Sequence, residues 1–241
     1  MSSFDPIGAA LLDYVAGQTA ATITVHSNVA EDEPLPARYF FRTLWEMPAL
    51  ERTALSLCRG RVLDLGAGAG AHALELQSRG TAVKAVDVSA GAVQVMQQRG
   101  VREVACHDIF ELSTRYDDTR YDTLLMLMNG LGVVGTLEGL ERFLVLAQPL
   151  LAPGGQILAT SADISYLYED EDGALVFDLN APYYGEVTYR MSYQEQTGPE
   201  FSWLFADPTI VQDYAEAAGY DVEFLDEDDN QQFLVRLTRR G

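Results

Sequence analysis

Residues 62–70 read VLDLGAGAG: an apolar run ends at Asp64 and Leu65, and Gly66, Gly68 and Gly70 then recur at every second position, with Ala67 between the first two. Missing side chains at that spacing, where a strand turns into a helix, let a ligand approach backbone amides at the helix N-terminus. By itself the turn suits a dinucleotide, a phosphate or a sulfonium nucleoside, and with Ala71 in the sixth position it also fits the permissive dinucleotide fingerprint. Polar residues close the apolar runs that follow: Asp87 in AVDVS, Asp108 in CHDIF, Asn129 in LMNG and Asp163 in QILATSAD. Carboxylates at the ends of neighbouring parallel strands converge on one crevice.

Asp64 separates the ligands. Two residues before the first glycine, its carboxylate would face the pyrophosphate of a dinucleotide, and like charges about 4 Å apart oppose binding by a few kcal/mol at an effective permittivity of about 20. S-adenosyl-L-methionine has no phosphate and carries an ammonium and a sulfonium, so the same carboxylate favours it. The other reading of Asp64 is a brace that accepts from the amides of the turn. Asp87 suits the ribose diol of either NAD or S-adenosyl-L-methionine.

The elements that must position these residues follow from periodicity. From residue 61, RVLDLG, AHALELQSRG, AVKAVDV, AGAVQVMQQRG and EVACHDIF alternate short apolar runs with helical patterns, the grammar of an α/β fold with a parallel sheet covered on both faces. YDTLLMLMNG supplies a fourth strand, LEGLERFLVLAQPLL a helix and QILATSAD a fifth strand. The grammar changes over residues 164–206, where two alternating runs, EVTYRMSYQ and EFSWLFA, separated by EQTGP, predict an antiparallel hairpin inserted as a lid. A helix follows, with Asp207 as N-cap, Pro208 in its first turn and Gly219 at its end. The last twenty residues form an antiparallel hairpin on the sheet. Residues 1–59 read as a mostly helical N-terminal cap and 60–241 as the main domain.

Composition narrows the partners. A chain of 241 residues that is 48% hydrophobic can bury a core for one sizeable domain. A formal charge of −20 repels phosphate backbones and anionic lipid surfaces, which argues against nucleic acid and membrane partners. The basic cluster of Arg236, Arg239 and Arg240 lies at the C-terminal end, and Lys84 is the single lysine. Acidity of this order suits either a high-salt proteome or the codon bias of a GC-rich genome. The longest apolar stretch, LLMLMNGLGVVG, is broken by Asn129 and glycines, and the start lacks a basic leader, so a cytoplasmic location is expected. Cys58 and Cys106 have no metal-ligand spacing and are expected as buried reduced thiols, with no metal site.

In that order, VLDLGAGAG, AVDVS, CHDIF, YDTLLMLMNG and PLLAPGGQIL resemble class I S-adenosylmethionine-dependent methyltransferases over residues 60 to 163. The resemblance implies a Rossmann-like, seven-stranded, mostly parallel sheet with an antiparallel C-terminal hairpin. It implies S-adenosyl-L-methionine as cofactor and S-adenosyl-L-homocysteine as product. Gly66, Ala67, Gly68 and Gly70 would approach the methionine portion beside Asp64, Asp87 would hold the ribose hydroxyls, and Val88 would stack beneath adenine. Asp108 would accept from the adenine amino group, with Ile109 beside the ring. Asp87 and Asp108 as helix caps, and Val88 and Ile109 as core, are the structural alternatives.

For the acceptor, Asn129 stands where the class places residues next to the transferring methyl, although LMNG departs from the NPPY-type tetrapeptide of many enzymes that methylate exocyclic amines. Asp163 either orients or deprotonates an acceptor or caps the turn that follows. His72 reads as packed or solvated rather than as a base. Tyr166 and Tyr184, in the tyrosine-rich lid, are expected at a small-molecule acceptor, and the same aromatic alternation would serve a homodimer interface. Arg42 in ARYFFRTLWEMP is a candidate partner for the cofactor carboxylate, with an ion pair as the alternative. Methyl transfer to a small molecule is the leading expectation, an NAD(P)-dependent oxidoreductase the second, and a cofactor-binding module without turnover the third.

Overall fold

The computed structural model describes residues 4–112, 119–170, 174–176 and 182–240. In chain order its helices and strands begin with α1 (Pro6–Val15), β1 (Thr22–Ser27), β2 (Glu33–Pro36), α2 (Ala49–Leu57), β3 (Val62–Leu65), α3 (Ala71–Ser78), β4 (Val83–Asp87), α4 (Ala90–Arg99) and β5 (Glu103–Cys106). They continue with β6 (Tyr121–Met126), α5 (Leu137–Leu150), β7 (Leu151–Ala162), β8 (Glu186–Tyr193), β9 (Gln196–Leu204), α6 (Pro208–Ala217), β10 (Tyr220–Glu227) and β11 (Gln232–Arg239).

Seven strands form the main sheet in the order β10-β11-β7-β6-β3-β4-β5. The five from β7 to β5 are parallel, and β11 and β10 add antiparallel pairs at one edge. This is the mixed α/β sheet expected from the alternating apolar runs. The central strand β3 is buried along its whole length, and its side chains divide by parity: Leu63 and Leu65 join Phe143, Leu144 and Tyr220 on one face, while Val62 joins Leu55, Leu76 and Met96 on the other. A strand so enclosed must be apolar, which makes the acid within it, Asp64, the exception to explain.

The N-terminal segment corrects the helical expectation for residues 1–59. It holds two helices but also β1 and β2, which pair with the inserted hairpin in a second sheet of order β2-β1-β8-β9. TITVHS is short and its partner β8 lies more than 160 residues away, so local periodicity carried little signal for it. The hairpin also turns earlier than EQTGP: Tyr193 pairs with Gln196, and Gln194 takes a left-handed φ of 55° in a two-residue turn. Residues 171–173 and 177–181 of the lid segment lie outside the described residues.

The lid aromatics are engaged within the chain. Tyr193 donates its hydroxyl to Asp13 at 2.7 Å, and the indole of Trp203 lies against Gly132, where a Cβ would overlap it. Helix α1 crosses α4 so closely that a Cβ on Gly91 would come within 2.5 Å of the Gly8 Cα. Cys58 is half-buried, and Cys106 is exposed rather than buried, because it ends β5 at the open edge of the sheet. The C-terminal arginines make no free basic groove: Arg236 pairs with Glu223 and Arg240 with Asp221, while Arg239 donates to the Gln148 carbonyl. No helix among the described residues is long and apolar enough to cross a membrane.

Asp207 caps α6 by accepting from the Thr209 and Ile210 amides, and its other oxygen accepts from the hydroxyls of Tyr183 at 2.7 Å and Tyr184 at 3.1 Å. Asp207→Ala is therefore expected to lower unfolding free energy by about 1–2 kcal/mol, read as an earlier urea midpoint at unchanged slope. A midpoint within error of the parent would contradict the role of this cap.

Candidate active-site crevice

The glycine turn between β3 and α3 is closed by its own chain. Gly66 and Gly68 take left-handed φ values of 75° and 54°, which side chains rarely allow, and a Cβ on Gly70 would meet Val101 and Met96 at about 3 Å. The amides of Gly66 and Ala67 donate to the Val86 carbonyl, that of Gly70 to the Ala67 carbonyl, and that of Gly68 to Asp87 Oδ2 at 2.8 Å. The expectation that these residues present amides to a ligand is thereby corrected for the three glycines and Ala67. A phosphate-binding turn aims such groups outward. Here those four amides are spent on the fold, and the buried carboxylate of Asp64 lies beside them.

Asp64 is 1% exposed, and its Oδ2 has no hydrogen-bond partner. Burial pushes its carboxyl up to about 6; the neighbouring His72 opposes that shift, Asp87 adds to it, and the Ala73 amide opposes it. The brace reading holds for one bond to Ala73, but the brace of the glycine turn itself is Asp87, whose Oδ1 also accepts from the Ser89 amide at 2.9 Å. Burial raises Asp87 as well, against the hydrogen bonds from Ser89 and Gly68. Ser89 caps α4 and donates its hydroxyl to Asp5 at 2.6 Å, so α1 is tied to the end of β4.

The remaining strand ends line up as the sheet order requires. Val88, just past β4, is 72% exposed, a conspicuous apolar surface beside Asp87. Asp108 follows β5 and caps a short 3-10 turn through the Phe110 amide, as its structural alternative anticipated, while Ile109 packs into the core. Past β6, Met128 and Asn129 both adopt left-handed φ, at 61° and 56°. Two consecutive non-glycine residues in that region store backbone strain, which collects where a site needs a side chain held in place. The Asn129 amide donates to Thr160 Oγ1 at 2.9 Å, and its buried Oδ1 has no partner.

Asn129 also lines a cavity of about 340 Å³ between the two sheets, together with Tyr166 and residues of β1, β8 and β11. Asp163 and Tyr184 sit differently. Asp163 Oδ1 accepts from the Ser165 amide at 2.8 Å and from the Tyr184 hydroxyl at 2.9 Å, so it caps the following turn and holds the lid. Burial and the hydrogen bonds to Tyr183 and Asp163 push the Tyr184 phenol well above its ordinary range.

Sequence reasoning missed Glu51. Its carboxylate accepts from Arg42 Nη2 at 2.8 Å and pairs with His72 Nε2 at 2.7 Å, all three side chains being less than 10% exposed. Burial raises the Glu51 carboxyl, but His72 and Arg42 outweigh it and hold it below the usual range. Arg42 thus sits in an ion pair, buried rather than on the surface, with its Nε on the Tyr39 carbonyl and its guanidinium 3.8 Å over the Tyr39 ring. His72 is packed, as expected. The signal for Glu51 was present: it lies on the buried stripe of α2 with Leu50, Ala54 and Leu55. Glu31 and Glu33, which line the cavity, had no such signal because β1 and β8 meet only in the folded chain, whereas Tyr189 belongs to the tyrosine-rich lid segment.

Buried oxygens of Asp64 and Asn129 without a donor, beside a turn in which the Gly66, Ala67, Gly68 and Gly70 amides are already bonded, fit a cationic ligand rich in N–H groups. A family model described as a methyltransferase domain matches residues 62–155. Among solved structures, a SAM-dependent methyltransferase from Bacteroides fragilis, in complex with S-adenosyl-L-homocysteine, is 40% identical, with a TM-score of 0.90 over 98% of this chain and 94% of that one. DesVI from Streptomyces venezuelae, 14% identical, shares the fold at a TM-score of 0.57 over 80% of this chain and 91% of that one. So does a SAM-bound amino pentose methyltransferase from Micromonospora echinaspora, 20% identical, at 0.51 over 79% and 87%. No curated protein matches the chain.

Because the folded-state value of Asp64 lies above the ordinary one, its ionised form opposes folding; the cost is full above about pH 6 and fades as pH falls towards about 4. Asp64→Asn is expected to stabilise the ligand-free protein by ~1–3 kcal/mol at pH 8 and by much less at pH 4.5. Urea unfolding at the two pH values reads the difference. A variant less stable than the parent at pH 8 would assign the carboxylate to bracing.

Proposed function

The chain belongs to the S-adenosylmethionine-dependent methyltransferases, and from that premise we propose which of its residues hold the cofactor and which face the acceptor. It transfers a methyl group from S-adenosyl-L-methionine to a small-molecule acceptor and leaves S-adenosyl-L-homocysteine. The observation that carries the residue assignment is the unanswered Oδ2 of Asp64 beside a turn in which the Gly66, Ala67, Gly68 and Gly70 amides are spent. A buried acceptor oxygen without a donor costs about 1–3 kcal/mol, and an ammonium group supplies both the donor and the opposite charge.

On this reading Asp64 receives the cofactor's cationic end, directly or through water, while Gly66, Ala67, Gly68 and Gly70 form the wall it lies against. Asp87 keeps lone pairs beyond its bonds to Gly68 and Ser89, and these accept from the ribose hydroxyls. Exposed Val88 gives adenine an apolar floor, with Asp108 and Ile109 at its amino edge. Arg42 acts through Glu51 and His72, joining the N-terminal segment to the helix that follows the glycine turn. Asn129 stands between cofactor and acceptor. Asp163 and Tyr184 hold the lid rather than touch substrate, and Tyr166 faces the acceptor.

Methyl transfer from a sulfonium is an in-line displacement of an already activated group. The protein's tasks are to align the nucleophile and keep water out, and alignment can contribute up to ~7–11 kcal/mol. A chamber between two sheets, walled by aromatic rings, suits both tasks. Polyanionic partners are disfavoured by the charge of −20 and by C-terminal arginines already in ion pairs.

Calorimetry separates this reading from a nicotinamide enzyme: S-adenosyl-L-homocysteine is expected to bind and NADH is not. Asp64→Asn should weaken binding of the product cofactor ~10–100-fold. Unchanged affinity in that variant, or heat from NADH alone, would refute the assignment.

A further inference from the structure

The cavity in front of Asn129 has a chemical bias that family membership does not supply. Among its described lining residues there is no arginine, lysine or histidine, while Glu31 and Glu33 enter from the loop before β2 and its first residue. Tyr166, Tyr189 and Phe205 contribute aromatic surface, and Asn129 lines the same space. Tyr189 ties the two characters together, since burial first and then the charges of Glu33 and Tyr166 push its phenol up to about 12.

Resting on the methyltransferase reading, we infer that the acceptor is an aliphatic amine carried on an apolar body. A carboxylate or phosphate substrate would meet two carboxylates with no counter-charge in the lining. An ammonium meets the glutamates by charge and the rings by cation–π attraction. The reaction has the same bias. After the ammonium releases one proton to water, the nitrogen lone pair forms the N–CH₃ bond as the CH₃–S bond breaks. That bond's electron pair passes to sulfur and gives the neutral thioether, and the N-methylammonium product keeps both remaining N–H protons and the positive charge. Charge therefore moves from sulfur toward the nitrogen, where fixed carboxylates stabilise it as it develops. A hydroxyl acceptor would need its proton removed during attack, whereas a neutral aliphatic amine is already nucleophilic. It also needs no NPPY-type tetrapeptide to orient a planar exocyclic amine.

The test uses the full chain and S-adenosyl-L-methionine with a labelled methyl. It offers 2-phenylethylamine, cyclohexylmethylamine and hexylamine beside their alcohol and carboxylic-acid counterparts. Label is expected in one or more amines at rates at least tenfold above the matched alcohol and acid, rising from pH 7 to pH 9. Glu31→Gln with Glu33→Gln should raise KM for that amine at least fivefold and leave S-adenosyl-L-homocysteine affinity within twofold. Label in alcohols or acids at comparable rates, no label in any amine, or an unmoved KM overturns the amine inference, provided that the product cofactor binds. If it does not bind, the methyltransferase reading fails first and the inference falls with it.

Discussion

A carboxylate held at 1% exposure in the central strand, with one oxygen unanswered, costs free energy in the ligand-free fold. Nothing in the packing of β3 calls for it, because the same strand position filled by an apolar residue would join the core around Val62. The cost is sustained because the surrounding structure fixes it. The amides that might have neutralised Asp64 are committed to the Val86 carbonyl and to Asp87, and the turn cannot relax without losing those bonds. The fold thus keeps a buried carboxylate oxygen without a donor.

Two other ties hold that arrangement in place. Asp87 locks Gly68 to the end of β4, and through Ser89 and Asp5 the same strand end is fastened to α1. Glu51 binds Arg42 and His72 at once, joining the N-terminal segment to the first turn of α3. In both ties a buried or half-buried carboxylate accepts from partners far apart in sequence. Removing one partner leaves a buried group uncompensated, which is more damaging than the net strength of the pair suggests.

The acceptor chamber depends on a second constraint, the pairing of β1 with β8. That pairing brings an N-terminal strand over the C-terminal ends of β6 and β7, encloses about 340 Å³ in front of Asn129 and delivers Glu31, Glu33 and Tyr189 to one wall. Asp64 and the glycine turn belong to the parallel sheet, whereas Val25, Ser27, Glu33 and Tyr189 bring the smaller sheet to the cavity.

Local pattern alone was enough for the parallel sheet, the antiparallel C-terminal pair and the α6 cap, since alternation, turn residues and capping side chains act over a few positions. It was enough as well to single out Asp64, because an acid inside an apolar run before a glycine turn is anomalous whatever the fold around it. The sequence did not reveal which carboxylate braces the turn, that the glycine amides are spent, or that Arg42 is taken up by Glu51. Hydrogen-bond partners are chosen by geometry between elements, and two aspartates at strand ends look alike until the strands are side by side. The strand character of residues 22–36 and the acidic side of the chamber were likewise decided only by tertiary structure. A six-residue run gains its stability from a partner more than 160 residues away, and no local periodicity encodes that distance.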